Sequence, residues 1–284
     1  MKTLLLATAA LGLCFLPRAD DHAADREAIT AAALDYVEGI YSMAPDRVRR
    51  SVHPELVKYG YGRWDGPEYK GYPMTFEQLV ELSKNWNESG RAGADAAKDI
   101  VVLDHLDKTA AVKLTAYWGV DYFQLVKDDD GKWKIRHVLW QTIATPEGVE
   151  EEHDVEADKK AVERAVLNYV ESAYDVRPEN IDRSVDRGLV KLGYTKRDAE
   201  EGWKRHDMNF DQLRELVSGW NKEKWMPADA QKDVVVLDVL DKTASAKATA
   251  HWGVDYFHLV KDDEGTWKIT QVVWQSHPLA KDAE

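Results

Sequence analysis

The chain has 284 residues, of which 44% are hydrophobic and 31% are charged, a composition typical of globular proteins rather than of disordered segments. Its formal net charge of −13 disfavours binding to the phosphate backbone of nucleic acids and to anionic membrane surfaces. We therefore expect neither a nucleic acid nor a membrane as the partner of the mature chain.

The N-terminus is typical of a secretory signal peptide. A lysine precedes an apolar run, Leu4 to Leu16, which has about the length of a signal-peptide core and is short for a transmembrane helix. We predict a signal peptide at residues 1–23, cleaved between Ala19 and Ala24, and hence a secreted or periplasmic protein. An uncleaved membrane anchor is the alternative. Because the single cysteine, Cys14, lies in this segment, the mature chain would have no disulfide or thiolate site.

The chain contains an internal repeat. The stretch 98–135, with its Trp-Gly-Val-Asp-Tyr-Phe segment, returns with few changes at 232–269. A repeat determines the architecture, so we predict two domains, at 24–144 and 157–278, each large enough to bury its own core. The acidic stretch 145–156 has no apolar periodicity and is interpreted as a linker.

The first elements of each copy are helical. An amphipathic helix ends near Tyr41 in the first copy, and a short helix opened by Pro45 follows it. A short strand is predicted at 56–61, and the loop 62–73 after it differs from its counterpart in the second copy. Divergent loops on a shared scaffold are where differences in binding usually lie. Another helix begins with the capping-box pattern Thr-x-x-Gln at residue 75.

Four strands close each copy, in the first at about 99–105, 109–118, 120–128 and 132–141. The last two are joined by a hairpin turn at Gly131, where glycine supplies the positive φ that such turns require. Helices packed on one face of a curved sheet make an α+β domain. We expect each sheet to wrap its helices into a cone with a pocket at the open end.

Five motifs together resemble those of a known superfamily: Asp25-x-x-Ala-Ile, Tyr36-Val-Glu-Gly, His53-Pro-Glu-Leu-Val, Val120-Asp-Tyr-Phe-x-Leu-Val-Lys and Asp130-Gly-Lys-Trp-Lys-Ile. By these motifs the sequence resembles the nuclear transport factor 2-like (NTF2-like) superfamily, and more closely its lumazine-binding and SnoaL-like branches. The resemblance covers nearly all of the mature chain, although Asp186-Arg187 replaces the His-Pro pair in the second copy. It implies two tandem cone-shaped NTF2-like domains with mostly antiparallel sheets, packed as an intramolecular pseudo-dimer. The superfamily contains enzymes, binding modules and subunit-association domains, so the fold does not imply the function.

Asp121 and Asp255 are the most specific candidates for chemistry. Strand alternation puts Asp121 on the same face as Phe123 and Leu125, inside the cone, and Asp255 in the equivalent place. A carboxylate in an apolar cone can have a raised pKa and act as a general base. The alternative is a structural aspartate that accepts backbone or tryptophan hydrogen bonds.

Two further residues complete a hypothetical proton-transfer site. Alternation with Trp133 and Ile135 points His137 into the cone, where it would act as the acid beside Asp121, and Tyr61 would donate to an oxyanion. For His137 the alternative is a hydrogen-bonded interior histidine.

Ligand binding has its own candidates. Tryptophans at strand spacing can stack on a flat ring system, although they are more often simply core. The ligand-binding candidates are His53, Tyr59, Trp118, Trp140, Asp255, Trp252 and Gln271. We find no metal-ligand spacing and no dinucleotide or phosphate-loop motif, so we expect no metal and no cofactor.

We therefore favour an exported protein that binds a small apolar or aromatic molecule in a cone pocket without catalysis. One alternative is a ketosteroid-isomerase-like or dehydratase-like enzyme that uses Asp121 as its base. The other is a structural module that binds a protein through its outer sheet faces, which would require filled cones and a large exposed apolar patch.

Overall fold

The computed structural model describes residues 19–64, 66–143, 153–198 and 201–278. It contains one arrangement of helices and strands twice. The first repeat comprises α1 (Ala19–Tyr41), α2 (Pro45–Ser51), β1 (Val52–Gly62), β2 (Lys70–Met74), α3 (Phe76–Leu82), β3 (Lys98–His105), β4 (Thr109–Ala116), β5 (Gly119–Lys127) and β6 (Trp133–Gln141). The second repeat comprises α4 (Val155–Tyr174), α5 (Pro178–Ser184), β7 (Val185–Thr195), β8 (Lys204–Met208), α6 (Phe210–Val217), β9 (Lys232–Val239), β10 (Thr243–Ala250), β11 (Gly253–Lys261) and β12 (Trp267–Gln275).

Most of the predicted signal peptide and most of the predicted linker lie outside the described residues. Helix α4 begins at Val155, two residues before the predicted start of the second domain, because the Asp154 side chain caps it by accepting the backbone N–H of Ala157. Within the described ranges, no helix is long and apolar enough to cross a membrane. The signal peptide and its cleavage stay predictions.

Each repeat folds its strands into a six-stranded mixed sheet. The strand order is β2-β1-β6-β5-β4-β3 in the first repeat and β8-β7-β12-β11-β10-β9 in the second. In the first sheet, β1 pairs in parallel with β6 and every other pair is antiparallel. The α+β class is confirmed, and the four closing strands lie within two residues of their predicted ends. Strand β2 is not predicted, because Gly71 and Pro73 within it are typical of turns.

The core of the first repeat lies between α1 and one face of its sheet. Ile29 and Val37 of the helix are fully buried, together with Phe123 and Leu125 of β5. Asp121 lies on the same face of β5, as strand alternation predicts. The second repeat has an equivalent core between α4 and its own sheet.

A β-bulge changes the alternation in the last strand of each sheet. Leu125 pairs with Ile135 and Gln124 pairs with His137, so Arg136 is an extra residue in β6. Beyond the bulge the side chains exchange faces. Val138 therefore joins the core, and His137 lies on the outer face. The prediction that His137 points into the cone is wrong for this reason. Strand β12 has the same bulge.

The outer faces of the two sheets pack against each other. The amide oxygen of Gln141, at the end of β6, accepts hydrogen bonds from the backbone N–H and the hydroxyl of Thr243, at 2.8 and 2.7 Å. Gln275, at the end of β12, does the same for Thr109, with both distances 3.0 Å. Tyr122 donates to Asp238 in the opposite repeat, and Tyr256 donates to Asp104. Because each of these contacts has a counterpart in the other repeat, this part of the interface has the self-complementary form of a two-fold dimer.

Candidate functional site

The first cone contains a cavity of about 420 Å³ between α1, α3 and the inner face of the sheet. Most of its wall comes from strand β1, the segment after β1, and helix α3. Two tryptophans complete it, Trp118 just after β4 and Trp140 in β6. Its lining residues are Tyr36, Ile40, Lys58, Trp64, Tyr72, Met74, Leu79, Leu82, Asn85, Trp86, Arg91, Trp118 and Trp140. The cavity is therefore largely aromatic, with a few polar groups.

Three aromatic rings form one wall of this cavity. Trp64 lies edge-on to Tyr72, with ring centroids 4.8 Å apart, and 5.7 Å from Trp140. Tyr72 and Trp140 are stacked at 6.1 Å. Trp140 can lie against the sheet only because residue 60 of β1 is glycine: a Cβ there would come within 1.8 Å of the indole. Trp64 is 58% exposed, so this aromatic wall reaches the mouth of the cone.

A buried lysine forms the polar floor of the cavity. The Lys58 ammonium donates to Tyr36 Oη at 2.9 Å and to Asp121 Oδ1 at 3.3 Å. Tyr36 also donates to Asp121 Oδ1, and the Trp118 indole donates to Oδ2 at 2.5 Å. Both carboxylate oxygens are therefore engaged. A buried ion pair is tolerable only when its remaining hydrogen-bonding capacity is satisfied in this way.

The floor leaves one lysine donor without a described partner. An ammonium group has three N–H donors, and Tyr36 and Asp121 accept two of those on Lys58. Burial lowers the pKa of Lys58, although the Asp121 carboxylate opposes the effect. Burial and the same carboxylate raise the pKa of Tyr36 well above its usual value, so that the phenol stays protonated. The third N–H of Lys58 is available to a molecule in the cavity.

The second cone repeats this floor. Lys191 donates to Tyr169 at 2.6 Å and to Asp255 at 2.9 Å, and the Trp252 indole donates to Asp255 at 2.6 Å. Its cavity, however, measures only about 120 Å³. Val217 lines it, at the position that Ser83 has in the first repeat. The two cones therefore share a floor and differ in the space above it.

The structure brings some of the predicted residues together. Trp118 and Trp140 line the first cavity, and Asp121 lies directly behind its floor. Trp252 lines the second cavity, with Asp255 behind the floor.

His137 and Gln271 lie between the repeats rather than in the cones. The imidazole Nδ1 of His137 is 2.8 Å from Gln124 Oε1, and the Gln124 amide donates to the backbone of Tyr256 in the opposite repeat. Gln271 is 2.7 Å from His258 and donates to the carbonyl of Val57. The predicted convergence of His137 with Asp121 is thus corrected, because the bulge in β6 puts them on opposite faces.

Tyr59 and Tyr61 are also on the outer face. Lys58 and Gly60 of β1 face the cone, so the alternate residues face away from it. The two tyrosines line a groove of about 280 Å³ between the repeats, with Asp186 among its other residues. The expected placement of Tyr61 beside Asp121 is therefore wrong, and the ligand-binding candidate Tyr59 lies outside the cone.

His53 forms a local turn. Its Nδ1 accepts the backbone N–H of Glu55 at 3.0 Å, and Asp186 accepts that of Gly188 in the second repeat. Burial lowers the pKa of the imidazole. His53 is not among the described residues that line either cavity, and its hydrogen bond to Glu55 is that of a residue that closes a turn. Over the described ranges, no group of three or more His, Cys, Asp or Glu residues is placed to hold a metal ion.

Three important residues of the site escape sequence reasoning. Lys58 is in a segment predicted as a strand, and its recurrence as Lys191 on a core-facing position is the signal that could have found it. Tyr36 lies on the apolar face of the first amphipathic helix, where it resembles an ordinary core residue. Trp64 lies in the divergent loop, and no periodic pattern assigns it to a wall.

Comparison with known proteins gives a family and a fold. The family described as "Putative lumazine-binding" matches residues 24–141 and again 157–275. No curated protein matches the chain. Together with the two α+β repeats, the family match gives the fold as NTF2-like.

Several solved structures are similar to one repeat at a time. An NTF2-like protein from Shewanella baltica is 15% identical and covers 45% of this chain and 100% of its own, with a TM-score of 0.36. One from Methylobacillus flagellatus is 18% identical, covers 46% and 100%, and has a TM-score of 0.36. A ketosteroid isomerase-like protein from Erwinia carotovora is 18% identical, covers 42% and 95%, and has a TM-score of 0.31.

Proposed function

The chain belongs to the family described as "Putative lumazine-binding" in both of its repeats, and from that premise we propose that its first cone binds a small planar aromatic molecule without catalysing a reaction. The proposal makes the second cone a structural copy that supports the first. It includes export through the predicted signal peptide at 1–23.

The observation that carries the proposal is the aromatic cavity of about 420 Å³. Small-molecule pockets typically measure about 300–1,000 Å³ and have apolar and aromatic walls with a few polar groups. The first cavity meets both criteria, and the second, at about 120 Å³, falls well below that size. A flat ring would stack on the indoles of Trp64 and Trp140, and the third N–H of Lys58 would bind an acceptor on the ring.

The polar groups of the cone favour binding over proton transfer. A general base must reach the proton that it removes, but both oxygens of Asp121 accept hydrogen bonds from its neighbours. The other two members of the hypothetical proton-transfer site, His137 and Tyr61, lie on the opposite face of the sheet. Asp121, His137 and Tyr61, the three groups named for the isomerase-like alternative, thus do not reach a common point.

Trp64 provides the sharpest test of the binding proposal. Titration with lumazine, followed by tryptophan fluorescence, should give saturable quenching in the full chain. Trp64→Ala should weaken binding by about twofold to tenfold, because one aromatic contact contributes roughly 0.5–1.5 kcal/mol. The matched control is Trp225→Ala, which removes a tryptophan of similar exposure from the second repeat, 51% against 58%.

Two results would count against the proposal. Equal weakening by the two tryptophan substitutions would move binding away from the first cone. Absence of saturable binding, both for lumazine and for neutral bicyclic aromatics such as 2-naphthamide, would leave the cavity without a function of this kind. Native mass spectrometry of the purified protein, with organic extraction, checks independently for a retained aromatic molecule.

Export has its own test. The intact mass of the chain from the secreted or periplasmic fraction should correspond to loss of the first 19–23 residues. A full-length chain that stays in the cytoplasm would contradict this part of the proposal and would leave the binding part intact.

A further inference from the structure

The charged residues that line the cavity of the first cone are all positive. Two of its lining residues, Lys58 and Arg91, are cationic, and none of the described residues that line it is acidic. This contrasts with the chain as a whole, whose formal net charge is −13. A cavity lined by one sign of charge raises the local concentration of ligands of the opposite sign.

The two cations differ in whether a carboxylate balances them. Lys58 is paired with Asp121 at 3.3 Å, so the floor of the cavity is close to neutral. Arg91 has no carboxylate within ion-pairing distance among the described residues. Its guanidinium carbon lies 5.1 Å from the ring centroid of Trp86, which holds the charge over the cavity wall. The unbalanced charge is therefore at the exposed mouth.

The second cone lacks this feature. At the position equivalent to Arg91 it has Trp225, and at the position equivalent to Asn85 it has Gly219. Lys191 is the one cation among the described residues that line the second cavity, and Asp255 balances it. The unpaired positive charge thus occurs in the cone that has the larger cavity, and it is not a requirement of the shared fold.

From these observations we infer that the first cone selects flat aromatic anions, holding the ring against Trp64 and Trp140 and the anionic group against Arg91. This inference rests on the proposed aromatic-binding function and specifies its ligand class. A guanidinium and a carboxylate or similar oxyanion form charge-assisted, often bidentate hydrogen bonds.

The floor suits a different group on the same ligand. The indole N–H of Trp140 is buried, with the residue 6% exposed, and has no hydrogen-bond partner among the described residues. The third N–H of Lys58 is nearby, since its ammonium lies 5.3 Å from the Trp140 ring centroid. Because Asp121 already balances Lys58, a neutral acceptor such as a carbonyl oxygen fits there better than a second anion. The ligand would carry its acidic group at the mouth and a neutral acceptor at the floor.

The test compares two probes of nearly the same shape, the anion 2-naphthoate and the neutral 2-naphthamide. At low salt the full chain should bind 2-naphthoate about fivefold to tenfold more tightly, and high salt should reduce this preference. Arg91→Gln should abolish the preference, because it should weaken binding of 2-naphthoate much more than binding of 2-naphthamide. The neutral probe thus serves as the internal control for any change in cavity shape, and Lys222→Gln, on an exposed residue of the second repeat, controls for net charge.

The outcomes separate this inference from the function on which it rests. If both probes bind with equal affinity, or if the preference survives Arg91→Gln, the anion inference is wrong and aromatic binding stands. If neither probe binds, both fail. Circular dichroism of the Arg91→Gln variant checks that it is folded, as expected for a substitution at an exposed residue.

Discussion

At the scale of single residues, the two repeats are most alike where a charge is buried. Lys58 and Lys191 each meet an aspartate, a tyrosine and a tryptophan inside an apolar cone. A buried ion pair adds little stability compared with a hydrophobic pair, but removal of one partner is costly because the other stays charged and unpaired. The network therefore fixes the floor of each cone more than it contributes to overall stability.

Substitution of the lysine tests this interpretation. Lys58→Met leaves the Asp121 carboxylate without its counter-charge and should lower the free energy of unfolding by about 3–5 kcal/mol in denaturant titrations. Adding Asp121→Asn should restore part of the loss. Lys84→Met, at a side chain that is 47% exposed, is the control and should have little effect. Unchanged stability of Lys58→Met would show that the pair is dispensable.

His258 gives a prediction about pH. Burial between the repeats lowers its pKa to about 4, against an ordinary value of 6.5. Below pH 6.5 the unfolded chain takes up this proton before the folded chain does. The free energy of unfolding should therefore fall as the pH drops from about 6.5 to about 4, by up to about 3 kcal/mol from this group.

His258→Gln, which copies Gln124 from the first repeat, should flatten this part of the pH dependence. Denaturant titrations between pH 4 and 7.5 measure it. The exposed His251→Gln is the control, and its profile should follow that of the wild-type chain. Equal profiles for wild type and His258→Gln would be incompatible with a depressed pKa at this site.

At the scale of elements, the contact of β1 with β6 shapes the cavity. Gly60 and Gly193 lie against the indoles of Trp140 and Trp274, where an added Cβ would approach within 1.8 and 1.7 Å. Either indole would have to move to accommodate alanine. Glycine is thus required at both positions because an indole ring packs directly against the backbone there, and not because the chain turns.

Gly60→Ala should destabilise the fold by about 1–3 kcal/mol, the usual cost of overpacking, and should weaken probe binding because Trp140 leaves its place in the wall. Gly193→Ala should destabilise by a similar amount and leave binding unchanged. Gly93→Ala, where no atom lies within 4 Å of the added Cβ, is the control for both. Equal loss of binding in the two destabilised variants would mean that stability, not the wall, limits affinity.

At the scale of the whole molecule, the two repeats share an interface through which they stabilise each other. Gln141 and Gln275 satisfy backbone donors of the opposite repeat, and buried donors left without partners cost about 1–3 kcal/mol each. Apolar residues cover further area, including Ala111, Val254 and Tyr256. The repeats should therefore unfold together.

Replacement of both glutamines by leucine tests this coupling. Scanning calorimetry of the wild-type chain should give a single transition, and the double variant should give two transitions or one with a lower midpoint. Thr75→Ala, which removes a helix cap within one repeat at a cost of about 1 kcal/mol, is the control for destabilisation without uncoupling. A single unchanged transition in the double variant would contradict the shared interface.

Much of the fold follows from the sequence. The repeat predicts two similar α+β units, and alternation in β5 correctly puts Asp121 on the core side. Two of the failures come from the bulge at Arg136 in β6, which shifts the alternation by one residue beyond it, and from β2, which exists because β1 offers it a partner. The bulge and strand β2 both depend on pairing with a strand elsewhere in the chain, so no short stretch of sequence predicts either of them.

The sequence by itself determined the number of domains, their class and the side of the sheet on which Asp121 and Asp255 lie. The reason is that strand alternation depends only on neighbouring residues, and the internal repeat is visible in the order of residues alone. Only the tertiary structure decided which polar groups meet. It joined Lys58 to Asp121, 63 residues away, moved His137 to the interface, and made one cavity large and the other small. The physical reason is that a cavity is the volume left by several elements packed together, and small differences at each of them, such as Val217 for Ser83, add up only in three dimensions.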